Sequence, residues 1–312
     1  MQDRNSQRLL GIVIDLKELI PIYHAQIIKL ENKLANFSRI ETTKYVENRR
    51  DLTYSIFHNA LIKLRLILEN NFSHLETIGL LGTARYVFEM LVWLRLLDND
   101  IDSSLVFYGK LVSDQTQHYK SYRNKMEDEI ALFEELEKEE RRLAQEGLRS
   151  LNENENATSA SHAPEVTRWI MNEVDRRARR AFSIYAESAK ENGYSFQAYL
   201  IRNEIVKVDA QIAELETEGK AFVAQCAPEI SKRIKDRFNW KVEAERAGML
   251  MQYEFIYTFS SRLLHATPSS AFTAQKNLEM SEMVLFLDYI YVSMLDVLDL
   301  VSRQVGSDLQ LN

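Results

Sequence analysis

Ser73-His-Leu-Glu-Thr-Ile-Gly-Leu-Leu-Gly-Thr-Ala-Arg-Tyr-Val-Phe-Glu-Met-Leu-Val-Trp-Leu-Arg-Leu-Leu97 is the stretch on which the fold turns. At helical spacing its Leu80, Leu81, Val87, Phe88, Leu91, Val92, Leu94 and Leu96 cover every side of the cylinder. A helix that is apolar all round belongs in the middle of a bundle. Ser73 with Glu76 three residues on has the form of a capping box, which predicts a helix over about 74–97. Gly79 and Gly82 fall mid-helix with no Gly-Lys-Ser/Thr after them, so they do not make a phosphate loop. Arg85, Glu89 and Arg95 interrupt the apolar run and argue against a membrane span.

The rest of the chain carries the same signature. Nine glycines and four prolines in 312 residues are about a third of the usual share. A chain so poor in turn formers cannot build a sandwich, a propeller or a many-stranded barrel, and lacks the glycine-rich loops of a doubly wound α/β fold. The expectation is all-α: a bundle of six or seven helices from residues 1–123 and 241–312, with a charged helical arm, 124–240, inserted between them. The first helix should cover about 6–37, kinked or split by Pro21. A second should cover 42–70, and a fourth, capped by Asn99–Ser103, should follow the central helix as far as Tyr122.

The arm opens with nine acidic and five basic residues over 124–150 and continues through a polar linker over 151–163. Pro164 suits the first turn of the next helix, which carries Arg168, Arg176, Arg177, Arg179 and Arg180. A break at Asn192-Gly193, a helix over about 195–218 and a short one opened by Pro228 complete the arm. A long helix is expected from Trp240 to His265, stopped by Pro268. The last, about 278–305, lines up Met280, Val284, Leu287, Tyr291, Met294, Leu298 and Val301 on one face. No repeat of solenoid length is visible.

A net charge of −7 leaves no global basic field for long nucleic acid, so any such contact must be local. The single Cys226 excludes a disulfide framework and a cysteine zinc cluster, which fits a reducing cytoplasm. Residues 1–6 lead straight into an amphipathic helix, and no secretory leader is expected. No cofactor or metal is expected: Glu127, Asp128 and Glu129 are consecutive and cannot face one ion, and Glu76, Glu89 and Glu254 have no histidine three residues on.

Two features can carry chemistry. Arg85 and Glu89, four apart, share the stripe of Ile78, Leu81, Val92 and Leu96, where charges are costly unless paired. They can pair with each other, but arginine ahead of glutamate is the weaker helical order, so the pair is either a buried structural ion pair or part of a pocket with a third partner across the interface. On the distant helix, Glu254, Thr258, Ser261 and His265 fall within about 60° of one another, with Arg262 alongside. If that stripe faces Arg85 and Glu89, the bundle holds a polar site; otherwise it is a solvated face. A histidine beside arginines can act as general acid or base at a phosphodiester. Arg176, Arg177 and Arg180 of the arm can contact RNA, or can pair with the acidic 127–140 segment as charged helix faces commonly do.

The stretch Thr83-Ala-Arg85-Tyr-Val-Phe-Glu89, followed by Tyr257-Thr-Phe-Ser260-Ser-Arg-Leu-Leu-His265-Ala, resembles a bacterial family of helical proteins. In that family an Arg-x-x-x-Glu helix is paired with a distant Tyr…Ser…His helix. It looks like a remote relative of the HEPN group, which includes metal-independent RNases of toxin–antitoxin and phage-defence systems. The HEPN pattern is an arginine, four to six intervening residues, then a histidine, a spacing that none of the six histidines here (24, 58, 74, 118, 162, 265) has. The resemblance implies an endoribonuclease with His265 as acid/base, Arg262 and Arg85 as phosphate stabilisers and Glu89 orienting them. Tyr257, Glu254, Thr258 and Ser261 would support them. The other reading is a non-catalytic interaction protein in which the same groups form a structural polar network. RNA or a companion protein is the expected partner, with self-association through a coiled-coil-like arm or the bundle.

Overall fold

The structure, a computed structural model, describes residues 2–34, 45–153, 159–264 and 278–306. They are all-α, with no strand among the described residues. In chain order the helices are α1 (Gln2–Leu34), α2 (Arg49–Asn70), α3 (Thr77–Asn99), α4 (Ser103–Glu153), α5 (Ser159–Arg180) and α6 (Ala186–Asn192). Then come α7 (Tyr194–Gln225), α8 (Pro228–Lys235), α9 (Trp240–Arg246) and α10 (Leu250–Gln252). A π-helical turn (Tyr253–Tyr257) leads into α11 (Thr258–Leu264), and α12 (Met280–Gly306) is the last.

These segments form two compact units, residues 1–110 with 221–312 and residues 111–220. The sequence division lay at 123/124 and 240/241; the observed one lies 13 and 20 residues earlier. Burial explains the shift. Phe222, Ile230 and Ile234 belong to the main core, whereas Tyr119 and Tyr122 pack against a second core.

In the first unit α1 packs against α2 and α12, and α12 against α3. α3 supplies Leu81, Val87, Phe88, Val92 and Leu94 with no exposed surface, as its all-round apolarity requires. Full burial of each such side chain contributes roughly 1.5–3 kcal/mol. Half of the most apolar window of α3 is buried; by length and composition alone this helix could cross a membrane. Its packing is that of a bundle's core helix. The buried Tyr23 of α1 satisfies its hydroxyl by donating to the Met294 carbonyl at 2.8 Å. Arg95–Asp296 at 2.7 Å and Arg303–Asp98 at 2.9 Å tie α3 to α12.

The second unit has a core of its own around Phe133, Leu136, Val174, Ala189 and Ile201. It is therefore more than a charged arm. Its organising polar group is Glu129 on α4, fully buried. Glu129 pairs with Lys125 at 2.7 Å and accepts from the Ser183 hydroxyl and, at 3.2 Å, from the Ile184 amide. One carboxylate thus fixes the turn between α5 and α6, where Phe182 adopts a left-handed φ of 52°.

Several sequence expectations are corrected. α1 runs unbroken through Pro21, which lies on the exposed face where the Lys17 carbonyl it leaves unpaired can be hydrated. α2 begins at Arg49, and residues 45–48 are not helical. The capping box at Ser73 does not form: α3 starts at Thr77 behind Glu76, with no side-chain cap. Phe72, buried in the core, holds the preceding chain in a bend instead. α4 does not stop at Tyr122 but continues to Glu153, because its acidic run is also amphipathic. Helix covers 151–153 and 159–163 of the expected linker, so Pro164 lies inside α5; residues 154–158 are outside the described residues. The helix expected from Trp240 to His265 is interrupted at Gly248, whose φ of 69° suits glycine.

One close approach fixes α8. A Cβ placed on Gly109 of α4 would lie 2.7 Å from Ile234 Cδ1, so only a hydrogen fits there.

Candidate functional site

The two stretches singled out in the sequence meet. On α3, Arg85 Nε donates to Glu89 Oε1 at 2.9 Å, one helical turn away. Arg85 Nη2 donates to the Tyr257 hydroxyl at 3.1 Å, and the guanidinium carbon lies 4.5 Å from the centre of the Tyr257 ring. The third partner of the pair is therefore a tyrosine, held by hydrogen bond and cation–π contact together. The Arg85 and Glu89 side chains are about a quarter exposed, so the cluster is neither sealed nor open.

The π-turn explains why Tyr257 is the residue that arrives. Bonds from i to i+5 replace the i to i+4 pattern there, so side chains after it lag behind a regular helix. Thr258 Oγ1 donates to the Tyr253 carbonyl, five residues back, at 3.2 Å. Tyr253 and Tyr257 stack with centroids 5.0 Å apart, and both lie against Phe88 of α3. Burial raises the pKa of the Tyr257 hydroxyl; Arg85 works against that shift and Glu89 adds to it. Tyr257 therefore stays protonated at neutral pH and can donate as well as accept.

The expected stripe of Glu254, Thr258 and Ser261 does not supply the contact. Glu254 is exposed, Thr258 is engaged with its own backbone, and the buried Oγ of Ser261 has no hydrogen-bond partner. Arg262 is exposed. His265, with Pro268, lies outside the described residues. In the second unit Arg176 and Arg177 both pair with Glu173, at 2.6 and 3.1 Å, and Arg177 also pairs with Glu139 at 2.8 Å. Glu173 is held down to about 2 by the Arg176 and Arg177 hydrogen bonds. Arg177 is thus engaged with the acidic segment through Glu139, and Arg176 only with its own helix; Arg180 is exposed.

Sequence reasoning missed the aromatic row that extends the cluster. From Tyr257 it passes to Trp240 at 6.1 Å, to Phe238 at 4.7 Å and to Trp93 at 4.8 Å, where the rings stack. The Phe238-Asn-Trp240 triplet and the i, i+4 tyrosines Tyr253 and Tyr257 were the available signal. Among the described residues no group of three or more His, Cys, Asp or Glu could hold a metal ion. What the cluster offers is a fixed guanidinium with Nη1 outside both hydrogen bonds, a neutral phenol beside it and a flanking carboxylate: groups suited to binding an anionic oxygen and steering a proton. No family model matches this chain, and no curated protein or solved structure is detectably similar to it.

Proposed function

We propose that this chain is a HEPN-like protein of the toxin or phage-defence type, acting in the cytoplasm on RNA without a metal, with the Arg85–Glu89–Tyr257 cluster as its phosphate-facing site. The observation that carries the reading is the Arg85–Tyr257 contact across 172 residues of sequence, which joins the two stretches that resemble the family. In this role Arg85 Nη1 takes a non-bridging phosphate oxygen, Glu89 holds the guanidinium plane, and the Tyr257 hydroxyl donates to developing charge. Arg262 is a second phosphate stabiliser and His265 the acid/base by resemblance.

An interaction protein is the second reading, and one observation favours it. Both hydrogen bonds and the ring contact of Arg85 are spent within the chain, as a clasp between α3 and the π-turn would spend them. The two readings separate on His265→Ala. A nuclease loses RNA cleavage and keeps its melting temperature. A wild-type protein that cuts no RNA, with a His265→Ala variant destabilised by roughly 1–3 kcal/mol, overturns the nuclease reading.

A further inference from the structure

Residues 231–241 carry five cations and one acidic residue, a local net of +4 in a chain of net −7. Arg233 is paired with Asp100 at 3.1 Å. Lys232, Lys235, Arg237 and Lys241 are exposed and have no ion-pair partner among the described residues. Most arginines of the second unit are treated differently: Arg123, Arg141, Arg142, Arg176 and Arg177, among others, each meet a carboxylate. Four uncompensated cations on one short stretch repel one another, and a bound anion relieves that cost.

The loop between α8 and α9 that carries Arg237 is also held in place. Phe238 stacks on Trp93 of α3 with centroids 4.8 Å apart and meets the edge of Trp240 at 4.7 Å. Lys110 of α4 donates to the Asp236 carbonyl, and the Asn239 side chain caps α9 by accepting from the Lys241 amide at 3.0 Å. The cations flank a row of partly exposed rings, and that row runs through Trp240 and Tyr257 to Arg85.

We propose that this stretch is the docking surface for a single strand of RNA: Lys232, Lys235, Arg237 and Lys241 take successive phosphates, and the strand is led along Trp240 to Arg85. Fixed cations beside aromatic faces suit unpaired bases, which stack on rings, rather than a duplex, whose bases are hidden. The patch is short and set in an acidic chain, so it fits one polyanion strand better than the plane of a membrane. The choice of RNA over another single strand rests on the function proposed above.

The test is fluorescence anisotropy on the full chain with a labelled 2′-O-methyl oligouridine of about 10 nucleotides, which cannot be cut through its 2′ oxygen. Four phosphate contacts give a slope of log affinity on log salt near −3, so affinity falls about fifty-fold between about 50 and 200 mM salt. The variant Lys235→Gln/Arg237→Gln/Lys241→Gln, whose exposed side chains leave the fold unaltered by its melting temperature, should flatten that slope to about −0.7 and weaken binding at least tenfold at low salt. Arg176→Gln/Arg177→Gln should bind as the wild type does. No binding by the wild type at about 50 mM salt overturns the proposal. So does a loop variant that binds unchanged, or a protein that binds phosphatidylserine vesicles through the loop and leaves the oligonucleotide free. Loop-dependent binding without cleavage of the 2′-hydroxyl form removes the nuclease reading and leaves the docking surface. Cleavage without loop-dependent binding does the reverse.

Discussion

Replacing Arg85 with alanine removes three contacts at once, and their sizes can be worked from the geometry. The charge-assisted hydrogen bond to Tyr257 at 3.1 Å contributes about 1.5 kcal/mol. The guanidinium over the Tyr257 ring at 4.5 Å adds about 0.5–1 kcal/mol. The helical pair with Glu89, in its weaker order, adds about 0.3 kcal/mol. The total is about 2.5 kcal/mol. It stays below the roughly 3–5 kcal/mol of a dry pair because the side chains are a quarter exposed and the stranded Glu89 can be hydrated. For a folded unit of this size that is a fall in melting temperature of about 5–10 °C. Tyr257→Phe keeps the ring and loses only the hydroxyl, at about 1 kcal/mol. The decisive quantity is the coupling in the double-mutant cycle of Arg85→Ala with Tyr257→Phe, measured by urea unfolding. It should be about 1–1.5 kcal/mol, because both changes delete the same hydrogen bond. A coupling below about 0.3 kcal/mol would refute the contact on which the site is built.

Two further outcomes test other parts of the molecule. Glu129→Ala leaves Lys125, the Ser183 hydroxyl and the Ile184 amide without their shared acceptor, so it should destabilise the second unit by about 1–3 kcal/mol and speed hydrogen exchange at Ile184; normal exchange there would sink the assigned role. Burial opposes the charged form of Asp100, but the Arg233 guanidinium, the Asp102 amide and the Ser103 hydroxyl outweigh it and hold its carboxyl below the ordinary aspartate value of 3.8. A depressed folded pKa gives stabilisation that is complete above the ordinary carboxylate range and lost as pH falls through the folded value. Asp100→Asn should therefore shallow the acid limb of the stability profile between about pH 2 and 5, and an unchanged limb would count against the network.

The fold class was readable because α3 is apolar nearly all round, and because so few glycines and prolines were present to turn a chain. A charged pair on an apolar stripe pointed to a partner, but whether the distant stretch supplied it stayed open between a polar site and a solvated face. The identity of that partner was not readable. A regular 100° step put Thr258 and Ser261 in line, and the π-turn at 253–257 changes the phase, so Tyr257 takes the place. Nothing in local propensity announces such a turn; the packing of the stacked Tyr253 and Tyr257 against Phe88 settles it through tertiary contact. The failed capping box has a similar cause, with burial of Phe72 outweighing the cap that Ser73 offered. Glu129 was passed over in a run of three acids because sequence alone does not tell which of them is dry.

Gly109 and Lys110 make an unequal pair. The first matters for what it lacks: any side chain there collides with Ile234, so α8 can approach α4 only while position 109 stays bare. The second matters for its reach, since its ammonium grips the Asp236 carbonyl just past the end of α8. Two neighbours on one helix thus act on the end of α8, at Ile234 and at Asp236, one by absence and the other by length. The tolerance of this region to substitution should be lopsided in consequence. Exposed cations around it are free to drift in identity with little cost to folding, while a single methyl group at position 109 forces the buried Ile234 side chain to give way.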